Sequence, residues 1–277
     1  MTSKRQRASL LSTDQTTKPG KMQRAPRPSG VTRRLELVTK AGTKKTHQAM
    51  EAGPVKIKID NLQTFEALTE NQQKFFDLYK SGASFMGLFG SAGVGKTFLA
   101  IYKALEEVLD KSNSYSKVVI VRSAVQVREQ GAVPGSLEEK MSIYETPYAD
   151  ICTTLFGRSN AWNLLKEQDT VKFVSTTAIR GTSYDDCIIV VDEATNLNWA
   201  EISAVMTRIG TRSKIIFCGD MRQNDLTKKK TDVSGLADFL KIARSMNSYQ
   251  EVNFTTADIV RSALVREWII AAESFGY

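Results

Sequence analysis

The chain of 277 residues has few of the side chains on which several kinds of active site depend. It contains one histidine, His47, and three scattered cysteines, Cys152, Cys187 and Cys218, none of which forms a Cys-x-x-Cys pair. These counts argue against a Ser-His-Asp triad, a histidine metal site, a zinc site built from cysteines and a disulfide framework. Sparse cysteine suits a reducing compartment, so we expect a cytoplasmic protein.

Long apolar runs are also missing. No segment approaches the ~20 apolar residues of a membrane-spanning helix, so we expect no membrane partner. The N-terminus is basic but lacks the apolar core of a secretory signal, and a matrix-targeting leader stays open as an alternative. The length suits one large domain or two small ones, with ample chain for a buried core.

Acidic residues are scarce in the first fifth of the chain. Residues 1–50 hold 12 Lys/Arg against 2 Asp/Glu, whereas residues 51–277 hold 26 against 28, so the first segment carries all of the net charge of +8. Because residues 1–50 have few large apolar side chains, we expect a flexible, mostly disordered basic arm attached to one domain over residues 51–277. Such an arm serves as a solvated tail, as a polybasic contact to nucleic acid, or as a contact to an anionic membrane or an acidic protein.

Short apolar runs alternate with helical patterns in the rest of the chain. Helical spacing predicts helices over residues 71–79, with Thr69 as the N-cap, and over residues 98–109. Val55, Ile57 and Ile59 alternate with lysines and predict a short strand. Further strands are predicted over residues 85–89, 117–121, 171–174, 187–191 and 214–218. Strands interleaved with helices predict an α/β domain with a mainly parallel sheet flanked by helices.

Residues 90–97 read Gly-Ser-Ala-Gly-Val-Gly-Lys-Thr and satisfy the phosphate-loop pattern G-x-x-x-x-G-K-[ST] between a predicted strand and a predicted helix. The glycines allow several backbone N–H groups to point at phosphate oxygens, and the following helix adds its positive dipole end. Lys96 is placed to reach the β- and γ-phosphates, and the Thr97 hydroxyl to ligate Mg²⁺. We therefore predict that ATP and Mg²⁺ are bound here. The predicted nucleotide-binding residues of the loop are Gly90, Ser91, Ala92, Gly93, Val94, Gly95, Lys96 and Thr97.

Two acidic residues follow a predicted buried strand. The apolar run of residues 187–191 ends in Asp192 and Glu193, at the carboxyl edge where ligands bind parallel sheets. We expect Asp192 to hold Mg²⁺ through its water shell and Glu193 to orient and deprotonate the attacking water. An acidic pair favours hydrolysis, because a kinase would deliver the phosphate to a bound acceptor.

A third strand end repeats this design. The apolar run of residues 214–218 leads into Gly219 and Asp220, and Gln223 follows three residues later. Beside the other two strand ends, Asp220 and Gln223 are candidates for sensing the γ-phosphate. A polar turn after a core strand is the alternative interpretation.

Taken together, these blocks resemble the PhoH family, phosphate-starvation-type P-loop ATPases with a single RecA-like core related to superfamily 1 helicases. The resemblance covers residues 68–275, and its departures are Ser123 in place of a proline, Thr195 in place of a glutamine and Cys218 in place of a threonine. It implies a RecA-like fold, and it implies that Gln72 reads the adenine. The matching segments are Thr69-Glu-Asn-Gln72, Val121-Arg-Ser-Ala-Val125, Val133-Pro-Gly-Ser-Leu-Glu-Glu-Lys140, Ile179-Arg-Gly181, Asp192-Glu-Ala-Thr-Asn196, Met206-Thr-Arg-Ile-Gly210, Gly219-Asp-Met-Arg-Gln-Asn-Asp225 and Asp258-Ile-Val-Arg261.

The chain is long enough for only one such core, whereas superfamily 1 helicases bind ATP between two. An arginine aimed at the γ-phosphate is worth about 10³–10⁵ in rate, and a neighbouring copy is one source of it. We therefore expect a homo-oligomeric ring, a hexamer as the family resemblance implies, with Arg208 or Arg261 acting across each interface. A surface or intra-chain ion pair is the alternative for either arginine.

The resemblance also implies a nucleic-acid partner, either RNA or single-stranded DNA. Candidates for contacts to the nucleic-acid backbone are Arg122, Arg128 and Arg180, for which phosphate sensing and structural pairing are the alternatives. The basic run Lys228–Lys230 is a further candidate, with a solvated face as its alternative. The leading hypothesis is Mg²⁺-dependent ATP hydrolysis coupled to nucleic-acid binding or to unwinding by a helicase. The alternatives are a nucleotide-gated scaffold with slow hydrolysis and a nucleoside kinase of the thymidine-kinase type, whose usual cysteine-ligated zinc lasso has no counterpart in this sequence.

Overall fold

The computed structural model describes residues 56–123, 137–220 and 234–275, with the side chains of residues 137–141 excepted. Within this part of the chain, the strands form one sheet in which every pairing is parallel, in the order β3-β2-β4-β5-β1-β6. The strands are β1 (Phe85–Gly90), β2 (Lys117–Arg122), β3 (Val171–Ser175), β4 (Cys187–Val191), β5 (Lys214–Gly219) and β6 (Tyr249–Phe254).

Helices cover both faces of the sheet. Side chains alternate along each central strand, so that Ile188 and Val190 of β4 pack into one core and Ile189 and Val191 into the other. The first core is closed by α1 (Glu70–Lys80), α2 (Lys96–Leu109), α3 (Leu137–Phe156) and α4 (Ala161–Glu167). The second is closed by α5 (Trp199–Met206) and α6 (Leu236–Ala243), and α7 (Ala263–Ser274) ends the described chain. This arrangement confirms the α/β domain with a parallel sheet flanked by helices that was expected from the sequence.

The two helices predicted around the phosphate loop are confirmed as α1 and α2. Thr69 caps α1 as expected, because its hydroxyl oxygen accepts a hydrogen bond from the backbone N–H of Gln72 at 3.4 Å. Strand β6 was not among the strands expected from the sequence. Tyr249, Val252 and Phe254 are buried and the three residues between them are not, so the strand lacks the regular alternation that predicts a strand from sequence.

The strand predicted from Val55, Ile57 and Ile59 is wrong. The structure has a single 3₁₀ turn at Ile59–Asn61, and the Asn61 side chain closes it by accepting the backbone N–H of Lys58 at 2.9 Å. The alternation still places Ile57 in the core and Lys58 in solvent, although no described strand runs beside them. Val55 itself lies outside the described residues.

The sheet brings three chain segments together at its carboxyl edge. Strand β5 lies between β1 and β4, so Asp220 follows a strand that separates the phosphate loop from Asp192. None of the helices described in the structure is long and apolar enough to cross a bilayer. The phosphate loop, Asp192 and Asp220 thus lie at the same edge of the sheet.

Candidate nucleotide-binding site

The phosphate loop joins β1 to α2 and depends on left-handed backbone conformations. Gly90, Gly93 and Gly95 have φ values of +126°, +73° and +87°. At Gly90 a β-carbon would also overlap the carbonyl oxygen of Phe254 on the paired strand β6. Only glycine satisfies both conditions at that position, and this turn leads the chain into the first residue of α2.

Lys96 is folded back over the loop. Its ammonium donates hydrogen bonds to the carbonyl oxygens of Gly90 at 2.9 Å and Ser91 at 2.7 Å. Burial lowers the pKa of Lys96, and the nearby carboxylates of Asp220 and Asp192 oppose that shift. The amine is thus already directed into the loop, where phosphate oxygens can replace the two carbonyl acceptors.

Asp192 is held from two sides. Its Oδ1 accepts the Thr97 hydroxyl at 2.6 Å, and its Oδ2 accepts the Tyr148 hydroxyl at 2.9 Å. Burial raises the pKa of Tyr148 well above its ordinary value and the Asp192 carboxylate raises it further, so the tyrosine is a neutral donor. Asp192 is only 7% exposed and lies beside Thr97, and metal binding by these two residues stays a prediction.

The oxygen atoms of Thr97 and Asp192 fit Mg²⁺, which prefers oxygen ligands and takes most of its shell from water and phosphates. In the described part of the chain, no three His, Cys, Asp or Glu side chains are grouped so that they could hold a metal ion by themselves. The hydroxyl of Thr97 and the carboxylate of Asp192 would therefore share the metal with water and phosphate oxygens.

Glu193 has different surroundings from its neighbour. Its backbone is left-handed, with φ +50°, and its carboxylate forms an ion pair with Arg122. The Arg122 guanidinium lies 5.8 Å from the centre of the Tyr144 ring, and the Asn196 amide is 3.5 Å from Glu193. A non-glycine residue in this conformation is strained by about 1–2 kcal/mol, a feature that concentrates at functional sites.

Two neighbouring cavities surround these residues. The smaller, of about 250 Å³, is lined by Ala92, Gly93, Lys96, Thr97, Asp192, Glu193 and Asp220, among others. The larger, of about 630 Å³, shares Gly93, Lys96 and Thr97 with it and extends to Gln72, Pro147 and Arg261. The smaller has acidic and loop groups suited to phosphates and metal. The larger has room for a base and a ribose.

Gln72 is buried at the edge of the larger cavity. Its amide N–H donates to the Val94 carbonyl oxygen at 3.1 Å, and its amide oxygen accepts the Leu68 N–H at 2.8 Å. The side chain thus ties α1 to the phosphate loop. Contact with adenine stays a prediction.

The two candidate arginines lie in different places. Arg261 lines the larger cavity of its own chain, and a β-carbon on Gly93 would come within 2.9 Å of its Cγ. Arg208 follows α5 and is not among the residues that line either cavity; its carbonyl oxygen accepts the Tyr184 N–H at 2.9 Å. A role across an interface stays a prediction for both.

Some residues predicted to function lie outside the described residues, so the structure says nothing about them. They are Gln223, Arg128, Lys228–Lys230 and the arm of residues 1–50.

Helix α3 contributes two side chains to the site that the sequence did not predict. Tyr148 and Tyr144, one helical turn apart, contact Asp192 and Arg122 respectively, but in the sequence they look like ordinary core aromatic residues.

The structure also explains why serine stands at position 123, where the family resemblance leads one to expect proline. The Ser123 hydroxyl donates to the buried carboxylate of Glu201 at 3.1 Å, a bond that proline could not make.

This chain is similar to members of a known protein family. The family model described as PhoH-like protein matches residues 64–273. The PhoH-like protein of Bacillus subtilis is 31% identical over 204 residues, which are 73% of this chain and 62% of the relative. Protein PhoH of Escherichia coli K12 is 30% identical over 184 residues, 66% of this chain and 51% of the relative. The chain thus spans about half to three fifths of the length of these relatives.

Solved structures give more distant likenesses. A Sulfolobus solfataricus SWI2/SNF2 ATPase core in complex with dsDNA has a TM-score of 0.37 at 15% identity, over 70% of this chain and 45% of that one. A structure of Pif1 helicases at forked dsDNA has a TM-score of 0.31 at 14% identity, over 69% and 44%.

Proposed function

Since this chain belongs to the PhoH-like family of P-loop NTPases, we propose that it hydrolyses ATP with Mg²⁺ and couples hydrolysis to RNA or single-stranded DNA. One contact supports the hydrolytic part above the others. The 2.6 Å hydrogen bond from Thr97 to Asp192 joins the phosphate loop to the acidic strand end, with Glu193 next in the chain. A glycine-rich turn and an acidic loop that matched their motifs by accident would have no reason to meet.

Each residue then has a defined task. The loop N–H groups and Lys96 bind the phosphates, with the lysine exchanging its bonds to Gly90 and Ser91 for phosphate oxygens. Thr97 and Asp192 hold the metal, and Glu193 accepts a proton from the attacking water. Bound Mg²⁺ would neutralise charge on the β- and γ-phosphate oxygens.

The nucleic-acid part has weaker support, which is electrostatic. The arm of residues 1–50 holds 12 Lys/Arg against 2 Asp/Glu, a density that binds phosphate backbones by counterion release. Arg180 is exposed close after β3 and suits a backbone contact, whereas Arg122 is paired with Glu193 and only 13% exposed. Of the candidates within the described residues, Arg180 is therefore the better one.

We also propose that the protein works as a homo-oligomeric ring. The exposed apolar side chains Leu68 and Val260 line the larger cavity, and exposed Leu264 and Trp268 lie on the following helix, α7. A second copy packed there would cover these side chains and bring its own residues towards the nucleotide, as a single core requires. Arg208 is then the better candidate for the arginine that acts across the interface, because Arg261 already lies at its own nucleotide cavity.

The sharpest test of hydrolysis is the substitution Glu193→Gln, which keeps the size of the side chain and removes its basicity. We expect ATP turnover to fall by at least about 10²-fold while binding of a fluorescent ATP analogue is retained. The matched control is Glu167→Gln, an exposed residue of α4 at the opposite edge of the sheet, which should leave both quantities unchanged. Equal turnover in the two variants would exclude Glu193 as the base.

One observation favours a slow, gated switch as the second candidate. The Glu193 carboxylate is engaged by Arg122, so unstimulated hydrolysis is expected to be slow. Measuring ATPase activity with and without single-stranded RNA and DNA separates the two candidates. Strong stimulation supports the nucleic-acid-coupled enzyme, no stimulation supports the switch, and phosphate appearing on a nucleoside would instead support a kinase.

A further inference from the structure

The Tyr148 hydroxyl makes a polar contact that none of the expected motifs accounts for. Tyr148 lies in α3 and is fully buried, with its ring packed 5.5 Å from that of Phe173 and 6.1 Å from that of Trp162. Packing on two sides leaves the ring little freedom, and its hydroxyl is directed at Asp192 Oδ2 from 2.9 Å. An apolar core needs no hydroxyl here, because phenylalanine would fill the same space.

We propose that Tyr148 is a positioning residue for the proposed Mg²⁺ site, holding the Asp192 carboxylate in the orientation that receives the metal. The inference rests on the proposed function, since Asp192 is expected to act through the magnesium shell. Thr97 fixes Oδ1 and Tyr148 fixes Oδ2, so the carboxylate cannot rotate about its Cβ–Cγ bond. With only Thr97 present, one oxygen would be free to turn away.

The two donors are not equivalent. The Thr97 oxygen has lone pairs that can face a metal while its proton remains on Asp192, so it belongs to the metal site itself. The Tyr148 hydroxyl is buried in the core and donates its hydrogen bond to Asp192, so it is the carboxylate that it positions. Groups that orient a ligand in this way cost about 10–100-fold in metal affinity or activity when they are removed.

The same turn of α3 also lines the nucleotide cavity. Pro147, Asp150 and Ile151 face the larger cavity, so the helix that holds Asp192 lies against the space that the base and the ribose would fill. Tyr148 is therefore placed by a helix that contacts both halves of the site.

The test is Tyr148→Phe in the full-length chain, read by ADP binding rather than by turnover. We expect the Mg²⁺ concentration that half-saturates the gain in ADP affinity to rise by about 10–100-fold, while ADP affinity in EDTA stays the same. The control is Tyr249→Phe, which removes another buried tyrosine hydroxyl bonded to a carboxylate, that of Glu251 at 3.1 Å, at the opposite end of the sheet. Its Mg²⁺ curve should match that of the unmodified protein.

A purely structural role gives a different result. In that case Tyr148→Phe would lower the free energy of unfolding and leave the Mg²⁺ curve unchanged, which overturns the inference. In an Asp192→Ala background the loss of the hydroxyl should have no further effect on Mg²⁺ dependence, and an additive effect would also overturn it. Failure of the unmodified protein to bind ADP at all would instead contradict the proposed function.

Discussion

Asp192 and Glu193 are neighbours in the chain, yet their surroundings suit them to different tasks. Asp192 is 7% exposed and accepts two hydroxyl donors, whereas the Glu193 side chain is 39% exposed, left-handed in its backbone and paired with Arg122. A buried, fixed carboxylate suits a metal ligand, and a more accessible one suits a base that must meet water. The left-handed turn at Glu193 separates the two side chains.

Gly90 allows a test of the backbone geometry of the phosphate loop. Gly90→Ala should lower the free energy of unfolding by about 2–4 kcal/mol, since the new β-carbon meets both an unfavourable φ and the Phe254 carbonyl. Gly82 is the matched control, because its φ of +86° is also left-handed but nothing lies within 4 Å of its β-carbon position. Gly82→Ala should cost only about 1 kcal/mol. Urea unfolding measures both, and equal losses would contradict the clash at β6.

At the scale of the elements, segments from both ends of the domain contact the phosphate loop. The Asn71 amide of α1 donates to Asp258 at 2.8 Å, and the Val260 N–H donates to the Gly93 carbonyl oxygen at 3.2 Å. Burial by itself would raise the pKa of Asp258. The hydrogen bonds that its carboxylate accepts, among them those from Thr255 and Asn71, together lower the pKa by more than burial raises it. The pKa therefore lies below its ordinary value, and the carboxylate stays charged. The first and last of the segments that resemble the family, Thr69–Gln72 and Asp258–Arg261, therefore contact each other, and the last one also contacts the phosphate loop.

Helix α7 leaves its outer face uncovered. Ile269 packs towards the phosphate loop, whereas Leu264 and Trp268 are 76% and 73% exposed. If a second copy covers this face, Trp268→Glu should convert the oligomer to monomer and abolish stimulated ATPase activity without changing the thermal unfolding of the monomer. Size-exclusion chromatography with light scattering measures the mass.

Trp199→Glu is the matched control for this prediction. Trp199 is 45% exposed and begins α5, where a negative charge is compatible with the helix dipole. It should leave the oligomer intact. A native protein that is monomeric and fully active would exclude the ring.

At the scale of the whole molecule, the excess of positive charge lies in residues 1–50, whereas the phosphate loop and the acidic strand end lie in residues 51–277. Deleting residues 1–50 removes 12 Lys/Arg and 2 Asp/Glu and leaves residues 51–277, which hold 26 against 28. We expect weaker binding to single strands and a flatter dependence of affinity on salt, because fewer counterions are released. ATPase activity without nucleic acid should be unchanged. Fluorescence anisotropy across a salt series tests this, and an identical slope would exclude the arm as the binding element.

Much of the fold and site is predictable because the information is local. The phosphate loop, the buried strand before Asp192 and the helix after Lys96 are continuous patterns whose geometry follows from a few adjacent residues. The weak alternation at Ile57 failed as a strand because pairing needs a neighbour, which sequence does not reveal. Strand β6 was not predicted because its mixture of polar and apolar residues has no regular pattern, and its strand structure depends on its pairing with β1.

The sequence by itself determined that this protein has a parallel α/β core with a phosphate loop and an acidic strand end, since each of these is encoded within a short stretch. Only the tertiary structure decided which distant groups serve them. Tyr148 reaches Asp192 across 44 positions and Arg122 reaches Glu193 across 71. Such contacts depend on how α3 and the strands pack, and no local pattern of residues encodes that packing.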